Sequence, residues 1–187
     1  MTSDVRPIRV VGISGSLRAG SYNTAALKAA MALAPEGMII EAAEIGDLPL
    51  YNDDLRLAGY CAQVQRFRDQ IAAADAVLFV TPEYNYSVPG VLKNAIDWAS
   101  RPPSQPFDNK PVAIMGASMG VLGTARAQYH LRQMMVFLNA FPLNKPEVMI
   151  GVAQTKFDAS GNLNDEATAD FIRQLLVSLA AWTERLR

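Results

Sequence analysis

Short apolar runs alternate along the chain with longer stretches in which apolar residues return every three or four positions. Ile8 to Ile13 is the first run and reads as a strand, followed by a Gly/Ser-rich turn, Ser14 to Ser21. Asn23 to Leu33, rich in small residues, reads as a helix able to pack close to a sheet. Met38 to Ala43 reads as a second strand of weaker β-character, and Ile45 to Tyr60 as irregular. Val64, Phe67 and Ile71 then return at helical spacing. Ala76 to Thr81 is continuously apolar and stops at Pro82, the pattern of a strand buried on both faces. Val88 to Trp98 reads as a helix, with Pro89 tolerated in its first turn.

The second half repeats the alternation. Val112 to Ala117 is another buried-strand run, and Thr124 to Asn139 a helix with Ala127, Leu131, Met134 and Leu138 on one face. Val148 to Val152 reads as a short fifth strand. The last helix, Asp165 to Leu186, places Phe171, Leu175, Leu179 and Trp182 on a stripe, with acidic residues at its start and Arg185 near its end, as the helix dipole favours. Five strands separated by helices predict a parallel sheet covered on both faces, an α/β three-layer sandwich forming one domain over 1–187. The polar segment 1–7 ahead of it is expected to be flexible. Ligands of such sheets bind beyond the carboxyl ends of the strands, at the switch in strand order. Function is therefore expected just after Ile13, Val80 and Ala117.

Composition narrows the classes of function. The formal net charge is −1 with no block of like charges, which argues against a nucleic-acid binder that works by neutralising phosphates. Cys61 is the only cysteine, so intramolecular disulfides, cysteine-ligated iron–sulfur clusters and dithiol chemistry are excluded. A lone thiol fits a reducing cytoplasm. There is no signal-peptide layout and no stretch of the ~20 apolar residues that membrane insertion needs. His130, the only histidine, has no second His or Cys near it in sequence, and no metal site is expected.

The loops at the three expected positions are unusual in composition. Gly15-Ser16-Leu17-Arg18-Ala19-Gly20-Ser21-Tyr22-Asn23 offers two glycines for close backbone approach, short polar side chains at Ser16, Ser21 and Asn23, and the forked donors of Arg18. That suits a phosphate at a helix start, and equally a polar turn in which Ser21 or Asn23 merely caps the helix. The loop lacks the Gly-Lys-Ser/Thr of an ATP-cradling loop and the Gly-x-Gly-x-x-Gly of a dinucleotide crossover. The second loop, Pro82-Glu83-Tyr84-Asn85-Tyr86-Ser87-Val88-Pro89-Gly90, is stiff enough to line a flat aromatic ligand, although such a loop taken alone is more often simple packing. The third, Ser118-Met119-Gly120-Val121-Leu122-Gly123, exposes backbone N–H groups at another helix start, or is an ordinary glycine turn. Their convergence at neighbouring strand ends points to a flat, phosphorylated aromatic ligand.

The sequence Gly-Ser-Leu-Arg-x-Gly-Ser-x-Asn after the first strand, together with Pro82 to Trp98, resembles the NADPH-dependent FMN reductase family, within it the bacterial chromate and quinone reductases. The resemblance runs from about Ile8 to Arg187. It implies a flavodoxin-like fold with five parallel strands in the order 2-1-3-4-5. It implies an FMN cofactor whose phosphate meets Ser16, Arg18, Ser21 and Asn23. Pro82, Glu83, Tyr84, Asn85 and Ser118 are implied around the isoalloxazine; Gly15, Tyr86 and Gly120 belong to the same expected site. NADPH or NADH would be the co-substrate. Quinones, chromate or related oxidants would be the acceptors, in a ping-pong sequence centred on flavin N5 that needs no catalytic side chain. A homodimer or homotetramer is implied, with Arg126, Tyr129 and Glu147 at subunit contacts. Arg101 is a candidate for binding an anionic acceptor or the NADPH phosphate, or else a cation at a helix C-terminus. A flavodoxin-type electron carrier and a non-catalytic flavin-binding protein are the alternatives; near-neutral charge and Arg18 favour the enzyme.

Overall fold

A computed structural model of the chain describes residues 6–187. The expectation of a flexible start falls, for residues 1–5, outside the described residues. The sheet is parallel, with strands β1 (Ile8–Ser14), β2 (Met38–Ala43), β3 (Ala76–Val80), β4 (Pro111–Ala117) and β5 (Phe141–Pro142) in the order β2-β1-β3-β4-β5. That is the expected flavodoxin-like order. The helices are α1 (Tyr22–Ala32), α2 (Asp53–Leu57), α3 (Ala62–Ala73), α4 (Gly90–Ala99), α5 (Ala125–Phe137) and α6 (Glu166–Leu186).

The outer position beside β4 departs from the five-strand expectation. Phe141 and Pro142 pair with Pro111 and Val112 at the start of β4, whereas a sixth strand, β6 (Val148–Ile150), pairs with Met115 to Ala117 at its end. One lane of the sheet is thus filled by two short strands, with the excursion Leu143 to Glu147 between them. β6 stops at Ile150 rather than Val152, because Val152 takes a left-handed conformation (φ +50°) and donates its N–H to Gly120 instead of continuing the ladder.

β3 and β4 are buried along their whole length, as their uninterrupted apolar runs require. One face of the sheet packs Ile13, Phe79 and Ile114 against Phe67, Ile71, Leu92, Trp98 and Leu131 of α3, α4 and α5. The other packs Val10, Leu78 and Met115 against Ala26 and Leu27 of α1 and Ile172, Leu175, Leu176 and Leu179 of α6. Close approach of α1 depends on Gly12: a Cβ there would stand 2.5 Å from a Leu27 methyl.

Three helix expectations change in detail. The expected α6 stripe is rotated: Ile172, Leu175, Leu176, Leu179 and Thr183 face inward, Phe171 is exposed, and half-buried Trp182 donates Nε1–H to the Phe141 carbonyl at 2.9 Å. On α5, Met135 rather than Met134 is fully buried. α2 forms inside the stretch read as irregular; its five residues are all outside the core, so no apolar period announced it. Asn52 caps it by accepting from the Asp54 N–H, and Arg56 and Tyr51 both donate to Asp53, which holds that carboxyl down to about 2. Among the described residues no helix is long and apolar enough to cross a membrane.

Arg68 of α3 organises the segment after α4. Its buried guanidinium donates to the carbonyls of Ala99 (2.6 Å), Arg101 (3.0 Å) and Ser104 (2.8 Å), and lies 4.4 Å from the Tyr60 ring centroid. Burial pulls its pKa below the ordinary arginine value. Arg68→Met retains the stem but orphans those carbonyls, and is expected to lower stability by about 3 kcal/mol in urea unfolding. A loss below about 1 kcal/mol would show that solvent satisfies them.

Candidate functional site

The first loop leads into α1 through Ser21, a buried N-cap whose Oγ accepts from the N–H groups of Asn23 (3.2 Å) and Thr24 (3.3 Å). Among the described residues the amides of Leu17, Ala19, Gly20 and Tyr22 have no protein acceptor. Arg18 is exposed, makes no ion pair among the described residues and stands 6.0 Å from the Tyr22 ring. Free amides, a helix start and an uncommitted guanidinium are the donor set a phosphate monoester needs. A cleft of about 260 Å³ opens beside this loop, and its far wall is Asp158 to Gly161, a segment the sequence pattern did not single out. Asp158 is held in that wall by Asn162, which donates from its side chain and main chain and keeps the carboxyl below its ordinary value.

Asn23 differs from the other expected phosphate ligands. It is buried, its Oδ1 accepts from the Ala117 N–H at 2.8 Å, and its Nδ2 donates to the Ala117 carbonyl at 2.9 Å. Its side chain ties α1 to the end of β4 and is directed into the protein, away from the open face of the loop. Gly15 is buried under the loop, between Leu92, Pro82 and Thr81. Ser16 is half-buried and accepts weakly from the Arg18 N–H (3.4 Å).

The second loop is a tight hairpin. Tyr84 and Ser87 exchange two main-chain hydrogen bonds of 3.0 Å, and Asn85 (φ +50°) and Tyr86 (φ +65°) occupy the left-handed region between them. This is the paired geometry of a type I′ turn, where glycine usually takes the second place. A left-handed tyrosine costs ~1–2 kcal/mol and persists only where its surroundings impose it. α5 supplies the surroundings: Arg126 stacks 3.7 Å from the Tyr86 ring centroid and His130 Nδ1 lies 3.0 Å from Ser87 Oγ. Pro82 is buried, whereas Tyr84 and Tyr86 are exposed.

In the third loop Ser118 Oγ donates to the Gly123 carbonyl at 2.6 Å, closing the turn, while the amides of Met119, Gly120, Val121 and Leu122 lack protein acceptors among the described residues. Gly116 lets Thr81, which follows β3, and Thr124, which precedes α5, approach β4: a Cβ there would fall 2.1 Å from both the Thr81 carbonyl and Thr124 Oγ1. The three loops stand at the ends of β1, β3 and β4, which are adjacent strands. Their exposed Leu17, Tyr84, Tyr86, Met119, Val121 and Leu122 form an apolar rim.

Arg101, Tyr129 and Glu147 stand outside the three loops, whereas Arg126 meets the second. Arg101 follows the far end of α4, at about 1.5 Å per residue roughly 15 Å along the helix from the second loop. There its Nε donates to the Asp97 carbonyl and its guanidinium lies 5.6 Å from the Tyr51 ring, so the helix C-terminal role is the one its geometry shows. Tyr129 donates to Glu147 at 3.3 Å, an exposed pair that raises the phenol pKa, and Arg126 is paired with Glu83 at 3.2 Å. A cavity of about 620 Å³ lies between α3 and the β1–β2 pair, lined by Arg9, Glu41 and Gln70, away from the three loops. Among the described residues no cluster of His, Cys, Asp or Glu is placed to hold a metal.

Comparison with known proteins agrees with this geometry. Residues 8–155 match the model of the NADPH-dependent FMN reductase family. The chain belongs to that family. It is 63% identical over 180 residues to an NAD(P)H-dependent FMN reductase of Pseudomonas aeruginosa, covering 96% of this chain and 97% of that one. It is 48% identical over 183 residues to a quinone reductase of Escherichia coli, with 96% and 97% coverage. Among solved structures, the flavoenzyme NAD(P)H:(acceptor) oxidoreductase FerB of Paracoccus denitrificans superposes with a TM-score of 0.87 at 40% identity, over 95% of this chain and 98% of that one. As a member of the NADPH-dependent FMN reductase family this chain is an oxidoreductase, with FMN as cofactor and NAD(P)H as co-substrate. The uncommitted donors of the first and third loops fit the acceptor-rich groups that FMN presents.

Asn23→Ala leaves the Ala117 N–H and carbonyl buried without partners, and is expected to destabilise the protein by about 2–4 kcal/mol in chemical unfolding. Asn23→Asp keeps an acceptor for the Ala117 N–H but sets an oxygen in place of the Nδ2 donor against the buried Ala117 carbonyl, and should destabilise at neutral pH at least as much as Asn23→Ala. Equal stability of all three would contradict the structural role.

Proposed function

We propose that the chain is an FMN-dependent NAD(P)H oxidoreductase that reduces quinones, and also chromate and related oxidants, in a ping-pong sequence. The observation that carries this reading is the convergence of three loops with unpaired amides and one free guanidinium at the ends of β1, β3 and β4. Ser16, Arg18, the Ser21 hydroxyl hydrogen and the unpaired amides of Leu17, Ala19, Gly20 and Tyr22 hold the phosphate. The main chain of Glu83 to Tyr86, with the amides of Met119 to Leu122, meets the polar edge of the ring, where backbone donors favour added negative charge. Pro82 and Tyr84 bound the ring. When bound, FMN supplies two-electron transfer between a nicotinamide and an acceptor. The apolar rim admits flat, lipophilic molecules over the same face, so the nicotinamide leaves before the acceptor enters.

Quinones stand first because the Escherichia coli relative is named a quinone reductase. A homodimer or homotetramer fits the rim and the outer face of α5, where Val136 and Phe137 are 80% and 83% exposed beside Tyr129. In such an assembly Arg126, Tyr129 and Glu147 stand at or near subunit contacts, and a neighbouring subunit covers part of the rim.

Purified protein should retain a yellow cofactor and oxidise NADPH or NADH in the presence of a quinone. Initial rates at several fixed quinone concentrations should give parallel double-reciprocal lines; intersecting lines would rule out the ping-pong order, and no turnover with any quinone would sink the enzyme reading. Arg18→Ala removes a charge-assisted contact of about 1.5–3 kcal/mol, so FMN should bind roughly ten- to a hundredfold more weakly while the far-ultraviolet spectrum stays the same. Unchanged flavin content after dialysis would contradict the phosphate assignment.

A further inference from the structure

The side chain of Glu83 does not face the open site. Its Oε2 accepts from the main-chain N–H groups of Arg126 (3.0 Å) and Ala127 (3.2 Å), and its Oε1 lies 3.2 Å from Arg126 Nε. The carboxylate thus caps the first turn of α5 from another loop. α5 has no local cap: Thr124 makes no capping bond, and its hydroxyl is taken by Gln128 Nε2 at 3.1 Å. A Ser or Asp at position 124 could satisfy these amides locally. A carboxylate brought from 43 residues away does something a local cap cannot. It joins the second loop to the helix that begins where the third loop ends.

The same contact acts on backbone strain. Arg126, oriented by Glu83, is the guanidinium stacked on left-handed Tyr86, and His130, one turn further along the same face of α5, meets Ser87 of the hairpin. Remove the carboxylate and Arg126 loses its anchor, the α5 amides lose their acceptors, and Tyr86 loses the contact that offsets its conformational cost. We propose that Glu83 is a positioning residue for the flavin ring: its side chain sets the separation of the second and third loops and holds the Tyr84–Ser87 hairpin in the shape the ring meets. This rests on the assignment of those two loops to the ring under the proposed function. It gives the glutamate a role distinct from the main-chain contact expected of it.

The test compares reconstituted FMN holoprotein of the wild type, Glu83→Ala, Glu83→Gln and Arg18→Ala. The readouts are the FMN dissociation constant by fluorescence quenching, the visible circular dichroism of the bound flavin at saturation, and the melting temperature. Glu83→Ala should weaken FMN binding at least tenfold and alter the visible dichroism. Glu83→Gln keeps an oxygen for the two amides but gives up the ion pair, and should move both readouts the same way by less. Arg18→Ala should weaken binding and leave the saturated spectrum as in the wild type, because it acts at the phosphate. Wild-type affinity and dichroism in both Glu83 variants, even with a lower melting temperature, would reduce Glu83 to a helix cap and overturn the proposal. If Glu83→Ala does not fold, Glu83→Gln decides by the same criteria. A wild type that takes up no FMN would overturn the flavin assignment itself, a failure distinct from unchanged Glu83 variants.

Discussion

Asn23 and Ala117 exchange two hydrogen bonds in the interior, one in each direction, across 94 residues of chain. The bond pair joins the first turn of α1 to the last residue of β4, so the end of the first loop and the start of the third cannot move apart without breaking it. Both groups are buried, and an orphaned main-chain N–H or carbonyl there would be costly. The positions of the first and third loops are set relative to this fixed point. Glu83 supplies the second link, from the second loop to α5, and with it the first and second loops are each tied to the neighbourhood of the third rather than held only by their own strands.

These links explain how a site made of loops can be rigid. β3 and β4 have no exposed face, and their main-chain groups are committed to the ladder, so polar groups free for a ligand occur only where the strands end. There the protein leaves amides unpaired in the first and third loops and fixes their positions with buried side chains. Ser21, Asn23, Glu83 and Ser118 hold the architecture with their side chains, while neighbouring main-chain N–H groups of the first and third loops have no protein acceptor among the described residues.

Much of this was legible in the sequence. The continuous runs of β3 and β4 announced buried strands, and glycine, serine and tyrosine at three strand ends announced the loops. Residue types singled out the three loops as candidates; they did not identify what each side chain touches. Asn23 looks like a phosphate donor until its partner 94 residues away is known, and Glu83 looks like a ring contact until α5 is in place. Arg101 follows the second loop closely in sequence, but a straight helix carries it to the other end of α4. The short strand Phe141–Pro142 and helix α2 escaped because neither is long enough to show a period, and the α6 stripe was displaced by Phe171, whose size suggested a burial it does not have.

The divided lane beside β4 has a consequence for how this protein meets others of its kind. A long, flat border strand offers a ladder of unpaired groups onto which a second chain can add a strand of its own. Here the border is two pieces of two and three residues, one of which ends in a proline with no N–H to give. The excursion Leu143 to Glu147 separates them, and its Leu143 carbonyl is already taken by Arg132 at 2.8 Å. On that side the sheet is closed to growth, and any contact with a neighbour there must be made by side chains of helices and turns, which match one shape, rather than by a backbone edge, which would match many.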